Sequence, residues 1–241
     1  MLKQIKNNKI YKILKYLKHY NKYANNNDNR FNLEYNNRQI ELNDWGYGHQ
    51  FDRHYFYHTA WASRKLYEFQ PEKHVDIGSD IRFSSFISTF VKTEYYDIRE
   101  LNIQLSGLVT KVADLTCLPF DSDSINSLSC MHVIEHCGLG RYGDVVNPKA
   151  DLIAMNELIR VLAPSGLLCF VVPIAGTPKI KFNAHRIYSY EQIMDYFGIL
   201  SLKEFVLIPD HYKDGNLVNK PSKDLLNKQK YGCGCFLFTK K

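Results

Sequence analysis

From residue 52 onward the apolar positions of the chain change rhythm repeatedly, between the 3.6-residue spacing of helices and short continuous runs. Asp52–Phe69 has helical spacing. Val75–Gly78 is a short apolar run ending in glycine, the mark of a buried strand. Ser84–Phe90 is helical again, and Glu94–Asp97, Val109–Ala113 and Ser127–Met131 read as strands two to four. Asp151–Leu162 has a helical stripe that stops before Pro164-Ser165-Gly166, a breaker triplet. Leu167–Pro173 is a continuous apolar run, the fifth strand. Tyr190–Phe197 is helical, and Glu204–Ile208 and Cys235–Thr239 supply two late strands across the polar stretch 210–230. Strands alternating with helices predict an α/β, doubly wound, mainly parallel sheet covered on both faces. Ligands of such sheets bind beyond the carboxyl ends of the strands.

Ahead of this unit the pattern differs. In residues 10–23, Ile10, Ile13, Leu14, Tyr16, Leu17 and Tyr20 share one helical arc opposite Lys12, Lys15, Lys18 and Lys22. An Asn-rich stretch, 21–37, has little to bury and reads as a linker. The expected organisation is a basic amphipathic helix with linker (1–40), an aromatic and histidine-rich lid (41–70) and a ligand-binding domain (71–241). Packing of the first helix on the domain or on a sister subunit, as in a homodimer, is expected ahead of contact with an anionic membrane.

Charge narrows the partners. The net charge is +6, yet residues 1–22 carry seven lysines and no acid, leaving 24 basic against 25 acidic residues elsewhere. The body therefore lacks the basic excess that tracks a nucleic-acid backbone, and no nucleic-acid partner is expected. No apolar run approaches a membrane span and no secretory signal is read, so a cytoplasmic protein is expected. The six cysteines then read as reduced structural thiols. Cys233-Gly234-Cys235 would share a strand face, but no second pair completes a zinc set.

The chemistry concentrates at predicted strand ends. Gly78 permits a backbone turn close to a ligand. Asp97 can accept two hydrogen bonds from a ribose diol, and Asp114 can accept from an adenine amino group beside Leu115. One aspartate alone is more often a helix cap or turn; three in succession favour a ligand.

The segments VDIGS, YDIRE, VADLTCLPFDSDSINSLSCMHVIEH and ELIRVLAPSGLLCFVVP resemble the successive motifs of class I S-adenosylmethionine-dependent methyltransferases, over roughly residues 70–175. HVIEHCGLGRYGD and FNAHRIYS are similar to a little-characterised subgroup. The resemblance implies a Rossmann-like, seven-stranded sheet with an antiparallel last strand and S-adenosyl-L-methionine as cofactor. Carried over by position, Asp76, Gly78 and Ser79 would line the methionine end. Asp97, with Ile98 beside it, would hold the ribose; Asp114 and Leu115 the adenine; His132 the floor beneath the sulfonium. Asp80 departs from the family pattern by standing where glycine is usual: it would pair with the cofactor's ammonium or weaken the site.

His136 and His185 are the candidate bases for an acceptor hydroxyl, with Glu135 beside them. Arg141 and Arg186 suggest a clamp on an anionic acceptor, and Tyr57 a substrate contact. His54 and His58, four apart, could hold a metal with Asp52, His49 or Glu135; an aromatic lid with Tyr47, Tyr55 and Tyr57 is favoured, and no metal is expected. The expected function is methyl transfer to a small polar acceptor, foremost O-methylation of a sugar or sugar-linked phosphate, a glycan precursor in surface polysaccharide biosynthesis. A protein methyltransferase and a non-catalytic binding module are the alternatives. A nicotinamide dehydrogenase would want Gly-x-Gly-x-x-Gly, and Gly78-Ser79-Asp80-Ile81-Arg82-Phe83 lacks the later glycines.

Overall fold

The computed structural model describes residues 9–27, 30–42 and 51–241. His49 and Tyr47 lie outside the described residues. The chain divides into two units, residues 1–51 and 52–241. In the first, helix α1 (Lys9–Ala24) forms where the 3.6-residue stripe predicts it, with none of its residues buried. A single 3-10 turn, Tyr35–Asn37, interrupts the Asn-rich stretch. No described helix is long and apolar enough to cross a membrane.

The second unit begins with α2 (Arg53–Phe69), capped by Asp52, whose side chain accepts from the Tyr55 backbone N–H. Then follow β1 (Lys73–Ile77), α3 (Ile81–Ile87), β2 (Lys92–Asp97), β3 (Leu108–Val112), β4 (Ile125–Met131), α4 (Ala150–Val161) and β5 (Leu162–Ile174). A hairpin of β6 (Lys179–Lys181) and β7 (His185–Ile187), absent from the sequence reading, leads into α5 (Tyr190–Tyr196) and β8 (Ser201–Ile208). The polar stretch holds β9 (Val218–Asn219) and α6 (Lys223–Asn227) before β10 (Gly232–Thr239).

The main sheet has strand order β3-β2-β1-β4-β5-β10-β8-β9. Strands β1 to β5 are parallel, and β10 runs antiparallel between β5 and β8. The count is eight rather than the seven expected, because the two-residue β9 adds itself to the edge at Val206 and Leu207. The other correction is in β5, which starts five residues early. Pro164-Ser165-Gly166 does not break the chain; it bulges within the strand, where the β4 register shifts between Ile125 and Ser127. Proline is tolerated at a bulge, and Ser165 takes φ +62° there.

Each face of the sheet is covered. On one, Ala154, Met155 and Leu158 of α4 and Ile193 of α5 pack with Leu128, Phe170, Phe236 and Phe238. On the other, Trp61, Ala62 and Leu66 of α2 and Phe83 and Ile87 of α3 meet Met131, Val171, Val206 and Cys235. Each fully buried side chain of this size contributes roughly 1.5–3 kcal/mol. Helix α2 is therefore part of the core of the second unit, whereas the sequence assigned it to a lid.

Candidate active site

A cavity of about 310 Å³ lies at the carboxyl ends of β1–β4, lined among others by Gly78, Asp97, Ile98, Asp114, Leu115 and His136. At or just past the ends of these four strands stand Gly78, Asp97, Asp114 and His132, all lining the cavity. The β1 turn is made possible by Gly78, at φ +69°; a Cβ there would come within 3.0 Å of a Val133 methyl. Tyr96, Arg99, Tyr142 and Asp144 also line this cavity.

Asp76 and Ser79 do not reach it. Asp76 is fully buried below the turn, accepting from the hydroxyls of Ser79 (2.5 Å), Ser129 (2.6 Å) and Ser84. Burial pushes its carboxyl up to about 6, against the hydroxyl bonds that hold it down. Ser79 Oγ also accepts from the Met131 backbone N–H at 3.1 Å. Ser129 continues the network to His74, whose ring lies between Ser127 Oγ (2.7 Å) and Ser129 Oγ (2.9 Å); burial pushes His74 down to about 3. These residues brace the β1–β4 junction that carries the cavity. Asp80 caps α3 through the Arg82 N–H at 2.9 Å and pairs with the Arg82 guanidinium, which holds its carboxyl below the usual range. In this structure it serves as the cap of α3.

Asp97 is buried, and both its oxygens are engaged. Oδ1 accepts from Arg99 N (2.8 Å) and Nε (2.9 Å), and Oδ2 from an Arg99 terminal nitrogen (2.9 Å) and Tyr95 Oη (3.1 Å). Burial works to raise its pKa, and the Arg99 bonds outweigh this and hold it low. The carboxylate is therefore ionised, held by an arginine whose own side chain is 58% exposed. Asp114 stands exposed at the end of β3, with Oδ1 accepting from Thr116 N and Oγ1 at 2.8 and 2.7 Å.

The 132–136 turn divides its duties. His132, at φ +58°, sets Nδ1 2.8 Å from Glu135 Oε1 and Nε2 3.4 Å from Cys233 Sγ. Glu135 is only 1% exposed, so it orients His132 rather than facing an acceptor. His136 Nδ1 donates to the Ala184 carbonyl at 2.6 Å, and its Nε2 lies 3.9 Å from Glu135 Oε1. His185 packs edge-on to His136 at 6.3 Å, and burial lowers its pKa. Both expected bases are thus brought together, with His136 on the cavity wall.

The arginine clamp does not assemble. Arg186 is buried: it donates to the carbonyls of Cys137 (2.5 Å) and Pro148 (3.4 Å) and lies 3.5 Å from Asp151. It ties β7 to the base of α4. Arg141 is exposed and donates to the Ala184 carbonyl at 3.0 Å. Tyr57 packs on the α2 face of the core under the Arg53 guanidinium, away from the cavity. The sequence did not single out Arg99 and Tyr142 on the cavity wall. The Asp97–Arg99 spacing within YDIRE was the available signal for the first.

The parallel order 3-2-1-4-5 with an antiparallel strand inserted after the fifth defines the class I methyltransferase fold, and solved structures agree. One is a 1,6-didemethyltoxoflavin-N1-methyltransferase from Burkholderia thailandensis with bound 1,6-didemethyltoxoflavin and S-adenosylhomocysteine. It is similar at TM-score 0.56 and 11% identity, over 77% of this chain and 79% of that one. The YcgJ protein from Bacillus subtilis is similar at TM-score 0.52 and 14% identity, over 76% and 99%. The [4+2]-cyclase SpnF is similar at TM-score 0.54 and 11% identity, over 76% and 80%. Residues 95–204, from β2 into β8, match a family described as Caenorhabditis protein of unknown function, DUF268. No curated protein matches the chain. Because one neighbour is a cyclase, the fold alone does not fix the reaction.

Proposed function

We propose that this protein is an S-adenosylmethionine-dependent methyltransferase acting on a hydroxyl of a small polar acceptor. The observation that carries the reading is the convergence of Gly78, Asp97, Asp114 and His136 on one cavity at four consecutive strand ends. The donor set fits the cofactor. Asp97, ionised, offers two oxygens to a ribose diol once the exposed Arg99 side chain turns away. Asp114 accepts from an amino group, with Leu115 and Ile98 as apolar walls for a ring. When bound, S-adenosylmethionine supplies a methyl group made electrophilic by its sulfonium.

The chain's own work is to position and to accept a proton. His136, on the cavity wall with Nδ1 held by the Ala184 carbonyl, would take the proton of an acceptor hydroxyl at Nε2. Alignment in a walled cleft supplies much of the remaining rate. With Arg186 committed to Asp151, the support for an anionic acceptor reduces to Arg141, so a neutral hydroxyl, as on a sugar, suits the cleft better. The test is calorimetric titration with S-adenosylhomocysteine, with NAD as control, followed by S-adenosylhomocysteine release in the presence of hydroxylated acceptors, nucleotide sugars among them. Binding of the first ligand and not the second supports the reading; binding of NAD alone overturns it. Binding without turnover on any acceptor would favour the non-catalytic module.

A further inference from the structure

Behind His132, on the far side from its Glu135 contact, His54, His132 and Cys233 each offer one ligand atom, all within 4.8 Å of one another. We propose that these three side chains bind a zinc ion, with the fourth coordination position left for water or an acceptor atom. The inference does not depend on methyl transfer, because its test reads metal.

Three elements build the site. His54 comes from the first turn of α2, His132 from the turn after β4, and Cys233 from the start of β10. The geometry suits zinc. Tetrahedral bonding at about 2.3 Å to sulfur and about 2.0–2.1 Å to nitrogen sets S and N roughly 3.5 Å apart. His132 Nε2 and Cys233 Sγ are 3.4 Å apart. His54 lies flat beside His132, ring centroids 5.6 Å apart and 7° from parallel, and is only partly buried, so rotation of its ring can close the widest gap.

The outer shell points the same way. Glu135 accepts from His132 Nδ1, which puts the ring proton there and leaves Nε2 as the ligating nitrogen, the carboxylate–histidine–metal arrangement of zinc sites. Independently, one buried polar atom beside the site, Glu135 Oε2, has no hydrogen-bond partner among the described residues. Glu135 is 1% exposed. A buried group of this kind is costly unless compensated. A divalent ion with the Cys233 thiolate and the Glu135 carboxylate carries no net charge, which removes the objection to an ionised carboxylate in this interior. On binding, the Cys233 S–H bond breaks, its proton leaves to solvent and the S–Zn bond forms.

By spacing, Cys233 pairs with Cys235 and His54 with His58; the fold instead brings His54 and Cys233 to His132. Imidazole and thiolate together favour zinc over magnesium or calcium.

The test uses the full chain saturated with zinc, desalted and measured for metal, and the same chain loaded with cobalt(II). The expected result is about one ion per chain, with a thiolate-to-cobalt charge-transfer band. Cys233→Ala and His54→Ala lose the ion, Cys233→Ala loses the band, and Cys117→Ala keeps both. Glu135→Gln weakens affinity about 10–100-fold by releasing the His132 ring. Substoichiometric zinc in the wild-type chain, or a wild-type cobalt complex without the band, overturns the proposal whatever the variants do. So does full retention of zinc in both ligand variants.

Discussion

Replacing Asp97 by alanine isolates the contact on which cofactor recognition most depends. In this structure its carboxylate is occupied by Arg99 and Tyr95, through bonds of 2.8–3.1 Å. A ribose diol must therefore displace the guanidinium before it can donate two hydrogen bonds. Hydrogen bonds to a charged group contribute about 1.5–3 kcal/mol each. Releasing a side chain as exposed as Arg99 costs about 0.2–1 kcal/mol. The net loss on removing the carboxylate is then about 3 kcal/mol, or roughly 150-fold in affinity. Calorimetric titration of wild type and variant with S-adenosylhomocysteine measures it. Thermal unfolding guards against a trivial loss, since about 1 kcal/mol moves the midpoint of a domain this size only about 2–4 °C. If the folded variant binds within about threefold of wild type, under 1 kcal/mol, Asp97 does not hold the ribose and the reasoning fails.

Three further outcomes follow from the geometry. Gly78→Ala forces a side chain into a left-handed turn at φ +69° and against Val133, so it should destabilise by at least about 1–2 kcal/mol in denaturant titration; a neutral effect would mean that the turn relaxes freely. Asp76 has its folded pKa raised from 3.8 to about 6, so ionising it costs stability: the contribution is present below pH 3.8 and lost as pH rises through 6. The stability of Asp76→Asn relative to wild type should accordingly improve by about 2–3 kcal/mol between pH 4 and 7, and a flat difference across that range refutes the burial argument. His136→Gln should lower turnover about 10²–10⁴-fold while leaving S-adenosylhomocysteine affinity unchanged; equal losses in both would make His136 a cofactor residue.

The sheet was legible because its strands are short apolar runs closed by chemistry-bearing residues. Gly78, Asp97 and Asp114 end β1, β2 and β3 as the rhythm predicts. Much of what escaped did so because a side chain's direction depends on packing that periodicity does not encode. Asp76, near the end of β1, and Ser79, in the turn after it, flank Gly78, yet the β1–β4 junction draws both inward to Ser129 and Met131. Arg186 matches a clamp by sequence position, but the β6–β7 hairpin turns it toward Asp151. Pro164-Ser165-Gly166 reads as a stop, yet β4 pairs on both sides of it, at Leu162 and Leu167, and Ser165 N–H donates to the Lys240 carbonyl, so the strand continues through it. His54, His132 and Cys233 are scattered over about 180 residues, a separation at which no spacing rule operates.

The strand-end cavity is proposed to grip an adenosyl group from the Asp97 and Asp114 ends. A crystal structure of the protein grown with saturating S-adenosylhomocysteine tests it most directly. The account predicts the ribose diol on Asp97 with Arg99 swung clear, and the adenine beside Asp114 and Leu115. Ligand bound elsewhere, or a cavity still closed by the Asp97–Arg99 pair, would contradict it.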